Sequence, residues 1–142
     1  MEIWKSINDF EGLYEVSNLG RIRSLDRLVI DKNGKRKRLF KSRILRNVCA
    51  NTGYHMVSLH KNNYRQCRRT VHRLVMMAFY PIEEPETKIV DHINGVRSDN
   101  RLENLRWTDF FTNNNNTPYI RYLQNLLKSS NIEFIGEEVF GR

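Results

Sequence analysis

Asp91-His92-Ile93-Asn94-Gly95 sets a carboxylate beside an imidazole and follows the pair with a tight polar turn. Asp99-Asn100-Arg101-Leu102-Glu103-Asn104-Leu105-Arg106-Trp107 comes next, and a carboxamide, Asn113, stands 22 positions after Asp91. These residue types suit metal-assisted attack on a phosphodiester. An acidic or amide oxygen can hold a hard cation such as magnesium, while a neutral histidine takes the proton from a water nucleophile. Each residue also has a plainer reading. An isolated Asp-His is usually a turn or a surface pair, Asn94-Gly95 is first of all a turn, and Asn100 and Asn104 are first loop-formers. The asparagine run 113–116 most simply marks a frayed helix end. It is the combination of types and spacings that points to a site.

For these groups to meet, residues near 91 and near 113 must be brought together. Ile89-Val90-Asp91 reads as a short strand, Asn94-Gly95 as a turn and Leu105-Arg106-Trp107 as a second strand. Thr108 or Asp109 can then cap a helix running to about Asn116. Asp91 and His92, as neighbours on a strand, project in opposed directions, so one can face a metal and the other water or substrate. Thr117-Pro118 starts a further helix to about Ser129, and Ile132–Ile135 reads as a last strand.

Upstream, Val71, Leu74, Val75, Ala78 and Phe79 recur at helical spacing, and His72 near the start of that helix reads as a packed histidine. Pro81 and Pro85, among Glu83, Glu84 and Glu86, end this helix in an acidic linker. The preceding residues read as β structure. Short strands form around Ile3-Trp4, Leu13–Ser17 and Arg21–Leu25. A hairpin joins Arg27–Ile30 to Lys37–Ile44 around Asp31-Lys32-Asn33-Gly34, and a second joins Tyr54–His60 to Tyr64–Val71. Val57 and Leu59 share a face of the latter with His55. The boundary between a basic β-rich region (1–70) and a second region (71–142) falls near residue 70.

Net charge is +8, but it is concentrated. Residues 1–20 and 74–142 each carry −3, whereas residues 21–73 hold sixteen Lys or Arg against two acids. A surplus of fourteen exceeds what solubility requires and points to nucleic acid. Arg21, Arg23, Lys35, Arg36, Lys37, Arg38, Lys41, Arg43, Arg65, Arg68 and Arg69 can neutralise phosphates of double-stranded DNA, with Asn116 a further candidate contact. Membrane attachment fits less well, because these charges alternate with strand residues and do not flank an amphipathic helix. Two separated cysteines, Cys49 and Cys67, and an N-terminus without the order of a secretory signal fit a reducing cytoplasm.

The Asp91–Trp107 segment with Asn113 resembles the core of the HNH endonucleases, in the branch found in phage and intron-encoded homing enzymes. Val71-His72-Arg73-Leu74-Val75 with Ala78-Phe79 is similar to the helix that precedes that core. Ile3-Trp4-Lys5, Gly12–Gly20 and Ile22-Arg23-Ser24 resemble the nuclease-associated modular domain that accompanies it. The resemblance implies an α+β fold: an N-terminal antiparallel β region, then a ββα-metal (His-Me finger) core with flanking helices. It implies that Asp91 and Asn113 are ligands of one magnesium, or another divalent ion such as manganese. His92 would be the general base, and Asn104 would steady the hairpin loop. Many relatives carry histidine where Asn113 stands, and Asn116 is a second candidate on that helix. The activity implied is site-directed DNA cleavage, by a monomer or a dimer on DNA, in the host cytoplasm if phage-encoded. The alternatives are a non-catalytic, regulatory DNA-binding module on an HNH-like scaffold and an RNA-directed protein.

Overall fold

The computed structural model describes residues 1–61 and 65–110. The helices and strand expected beyond residue 110, together with Asn113 and Asn116, lie outside the described residues. The strands are β1 (Trp4–Ser6), β2 (Tyr14–Ser17), β3 (Ile22–Ser24), β4 (Arg27–Ile30), β5 (Lys37–Phe40) and β6 (Arg43–Ile44). They continue as β7 (Val48–Cys49), β8 (His55–His60) and β9 (Gln66–Thr70); helix α1 (Val71–Phe79) follows, then β10 (Ile89–His92) and β11 (Leu105–Thr108). Pairing is antiparallel throughout, in sheets ordered β1-β2-β3-β6, β4-β5, β7-β8-β9 and β10-β11. This is the α+β architecture expected: antiparallel strands first, a helix after, and, among the described residues, the hairpin β10–β11 following it.

Alternation decides which side of each strand is buried. Tyr14 and Val16 of β2 point inward with Ile22 of β3, while the intervening Glu15 meets Arg23 across the ladder at 2.7 Å. In β8, Val57 and Leu59 are buried and Ser58 between them is half-exposed. Helix α1 presents Val71, Leu74, Val75 and Met76 to these strands on one side and to the last hairpin on the other. One continuous core results, from Ile7, Phe10 and Val16 through Val75 to Val90 and Leu105. The apolar cluster thus runs across residue 70 without a break, and the strands of the first seventy residues reach the site through it.

Two departures from the sequence expectation have local causes. The strand expected over Lys37–Ile44 is interrupted, because the Asp26 carboxylate accepts the Ser42 backbone N–H and turns the chain. Arg43–Ile44 then pairs with β3 instead of continuing the β4–β5 hairpin. Strand β7 is a two-residue, exposed pairing with β8, too short to leave any periodicity in the sequence. The acidic linker after α1 is fastened by Arg73, whose guanidinium donates to the carbonyls of Pro85 and, at 3.1 Å, Lys88. The same guanidinium lies over the Trp107 ring, and the indole N–H donates to the Tyr80 carbonyl at 2.7 Å.

Candidate active site

The β10–β11 hairpin carries the residues of the candidate site. Strand register sets Asp91 opposite Arg106 and His92 opposite Leu105. His92, at the strand end, turns inward and is 5% exposed, whereas Asp91 faces the other way and takes Arg106 Nε and Nη2 on Oδ2 at 2.8 and 2.7 Å. The opposed projection of neighbouring strand residues therefore gives the carboxylate and the imidazole different surroundings.

Between the strands the loop is locked by asparagines. Gly95 holds φ +77° and its N–H closes the turn onto the His92 carbonyl at 2.8 Å. Asn104 accepts the Asn94 N–H at 3.0 Å and donates to Asn94 Oδ1 and to the Asp99 carbonyl, both at 2.9 Å. Asn94 in turn bonds the Asp99 carboxylate at 2.8 Å. Arg101 beside Asp99 pulls that carboxyl down to about 2, so it stays an acceptor. With Asn104 6% exposed, Asn104→Ala removes the three side-chain hydrogen bonds that tie Asn94 and Asp99 together across the loop. A loss of about 2 kcal/mol is expected, read as a lower midpoint in urea unfolding.

The role of Asn100 was not legible as anything beyond loop chemistry. It is 4% exposed, and its Oδ1 accepts from His92 Nε2 at 2.9 Å. A carboxamide oxygen can only accept, so Nε2 carries the proton and Nδ1 is the basic nitrogen. Asn100 thus fixes the tautomer and the ring angle of the histidine. Two further rings surround it. His72 approaches His92 edge-on with centroids 5.2 Å apart, and Tyr54 lies 5.8 Å from His92 and 4.9 Å from His72. Burial first, then the charges of His92 and Arg73, push the His72 pKa down to about 4, so this second imidazole is neutral at ordinary pH.

For a metal, the described residues offer oxygen from Asp91; no group of three or more His, Cys, Asp or Glu among them could hold an ion. One carboxylate is compatible with magnesium, which keeps several waters and takes substrate phosphate oxygens to complete its octahedron. The oxygen of Asp91 is thus of the kind a hard cation takes.

The chain aligns with two family models, one described as the NUMOD4 motif over residues 2–60 and one as HNH endonuclease over residues 69–109. It also superposes on the structure titled "DNA binding and cleavage by the HNH homing endonuclease I-HmuI" with a TM-score of 0.63. That match is 31% identical and covers 91% of this chain and 68% of the other. The chain belongs to the HNH endonuclease family. Among curated relatives, DNA endonuclease I-HmuI of Bacillus phage SP01 is 36% identical over 104 residues, covering 73% of this chain and 51% of its own. An uncharacterised HNH endonuclease of Acanthamoeba polyphaga mimivirus is 34% identical over 111 residues, covering 75% of this chain and 23% of its own. The chain spans about half or less of the length of these relatives. The HNH match contains Asp91, His92, Asn100 and Asn104, and stops short of Asn113.

The basic residues fall into two groups. Arg21 is ion-paired to Glu2 and Arg23 to Glu15, and both guanidinium groups lie against the Trp4 ring; Lys41 pairs with Asp26 at 3.7 Å. Lys37 and Arg38 of β5, with Lys35 and Arg36 before them, extend along the exposed hairpin. Arg65, Arg68 and Arg69 are exposed on and beside β9, and Arg43 on β6. Among the described residues no helix is long and apolar enough to cross a membrane.

Proposed function

We propose that this protein is a magnesium-dependent DNA endonuclease that cuts one strand per active site, leaving 5′-phosphate and 3′-hydroxyl ends. The observation that carries the reading is the buried His92 imidazole, held by Asn100 in the tautomer that leaves Nδ1 basic, on the strand residue that follows Asp91. His92 Nδ1 takes a proton from the attacking water, and Asn100 stabilises the imidazolium through the Nε2–H bond. Asp91 with Asn113 would hold the divalent ion, magnesium or manganese. When bound, that ion supplies charge neutralisation at the scissile phosphate and the leaving 3′-oxygen. Arg106, which Asp91 engages across the hairpin, orients the carboxylate. Asn104 holds the loop that follows His92. One site per chain makes a nick the elementary product; a double-strand break requires two chains on the DNA. The setting that suits such an enzyme is the cytoplasm, where its DNA is.

Double-stranded DNA is the partner, gripped by the exposed guanidinium and ammonium groups of residues 35–38, 43, 65, 68 and 69. Arg21, Arg23 and Lys41 join them only by sharing or releasing their carboxylates. With about five phosphates neutralised, the log–log slope of binding against salt should lie near −4 to −5. Retardation measured across salt concentrations checks this, and a slope near zero would remove the basic block from the binding surface. The activity itself is tested by incubating the protein with supercoiled plasmid and with its presumptive host or phage DNA, with and without magnesium, and mapping the ends. Nicked circles that appear only with the ion are expected. DNA bound but never cut would indicate a regulatory binding module.

A further inference from the structure

We infer that the N-terminal β region, and not only the HNH core, sets the catalytic geometry: Gly20 and Tyr54 are positioning residues for His92. The inference rests on the reading of His92 as the base.

The first contact is a close approach of backbones. The turn between β2 and β3 is closed by Gly20 N–H donating to Ser17 O at 3.0 Å, and the fully buried Ser17 caps it from within, its Oγ accepting the N–H groups of Leu19 and Arg21. Gly20 adopts φ +80°, and a Cβ built there would lie 2.8 Å from both the Cβ and the carbonyl oxygen of Asn100. Both the conformation and the space therefore require glycine. Two residues earlier, the Asn18 carbonyl accepts the Leu102 N–H at 2.8 Å. Asn18 is itself tied to Ile3 by two hydrogen bonds, at 2.7 and 3.0 Å. The turn thus presses on the short segment whose Asn100 carboxamide holds His92 Nε2.

The second contact is a wall. Tyr54, at the entry to β8, lies against His92 and His72, and the Arg97 guanidinium sits 5.0 Å over its ring. Arg97 also donates to the Thr52 carbonyl, so the loop between β10 and β11 is fastened to the turn that precedes Tyr54. An imidazole has two torsions to fix. Asn100 fixes the direction of one nitrogen, and the flanking rings fix the plane. Misplacing a catalytic group by about 1 Å can cost on the order of a hundredfold in rate, so contacts at this distance from the chemistry have consequences for it.

The test is single-turnover cleavage of supercoiled plasmid by the full chain with magnesium, expressed per folded molecule from thermal melts, alongside DNA affinity measured without the ion. Tyr54→Leu should slow cleavage at least about tenfold with affinity unchanged, and Tyr54→Phe should restore most of the rate. Gly20→Ala should slow it similarly. In an Asn100→Ala background the same change should cost less than about twofold, because no carboxamide remains to be displaced. Parental rates for Tyr54→Leu and Gly20→Ala, or a Gly20→Ala loss that multiplies in full with that of Asn100→Ala, would overturn the inference. If Gly20→Ala does not fold, the Tyr54 pair decides alone: slow for Leu and restored for Phe supports it, parental for Leu refutes it. His92→Ala separates the two levels. Cleavage at the parental rate in that variant removes the base assignment itself, whereas its loss beside parental rates in the others removes only the role of the N-terminal region.

Discussion

His92→Ala should lower single-turnover cleavage by at least about a hundredfold, the usual worth of a positioned general base, while leaving DNA affinity and its salt slope nearly unchanged. The imidazole is buried and bonded to Asn100, so it has little to do with gripping phosphates. Asp91→Ala should abolish the metal-dependent cut. Binding should hold or improve, since a negative charge near the phosphate is gone and Arg106, now without its 2.7 Å partner, is free to meet the backbone. Substitution at the proposed amide ligand discriminates further. Asn113→Asp keeps an oxygen donor and should retain some activity, whereas Asn113→Ala should not; damage at Asn116→Ala with a harmless Asn113→Ala would move the proposed ligand from Asn113 to Asn116. Rates and affinities measured on the same preparations decide all of these. His92→Ala cutting at the parental rate with its ion requirement intact would mean that the chemistry resides elsewhere.

The hairpin and helix were legible because their signals are local. Asn94-Gly95 between two apolar runs dictates a turn, and the i, i+3, i+4 spacing of Val71, Leu74 and Val75 dictates a helix with one buried face, which is what forms. The opposed projection of Asp91 and His92 was legible for the same reason: adjacency on a strand fixes their divergence. Asn104 was identified through family resemblance, and the geometry shows why an asparagine serves there, since it must accept from one backbone N–H while donating twice. What could not be read was tertiary. Nothing near Asn100 in sequence says that it faces His92, eight residues away, and nothing in Gly20 says that it touches Asn100. Glycine in Asn18-Leu19-Gly20 reads equally well as an ordinary turn. The break of the second basic strand at Ser42 depends on a carboxylate sixteen residues earlier, a contact no periodicity encodes. Charge was legible as a total only. Which arginines are spent on Glu2 and Glu15, and which are left for phosphate, is set by strand register.

His72 should make the fold acid-labile well before its carboxylates protonate. It is 9% exposed, and among the described residues no group hydrogen-bonds its Nδ1, so the fold has nothing to stabilise a second proton there. Burial, with the neighbouring His92 and Arg73, lowers its pKa from 6.5 to about 4. Between those values the unfolded chain binds the proton and the folded chain does not, so acidification favours unfolding. The contribution is fully present above about pH 6.5, falls as pH drops and is lost by about pH 4; a shift of this size corresponds to roughly 3 kcal/mol. Glu2, Asp26 and Asp99 also have lowered pKa values, but theirs are carboxylates and act in the more acidic range below about 4.5. Urea unfolding at steps from pH 7 to 4.5, for the parent and for His72→Leu, separates the two. The variant should begin less stable, because a packed ring is lost from the wall beside His92, and should then lose distinctly less stability per pH step than the parent. Equal slopes for the two proteins would mean that His72 is already protonated in the fold or has found a partner that tolerates its charge. In that case the ring beside the base would be a cation, and the neutral environment assigned to His92 would have to be abandoned with it.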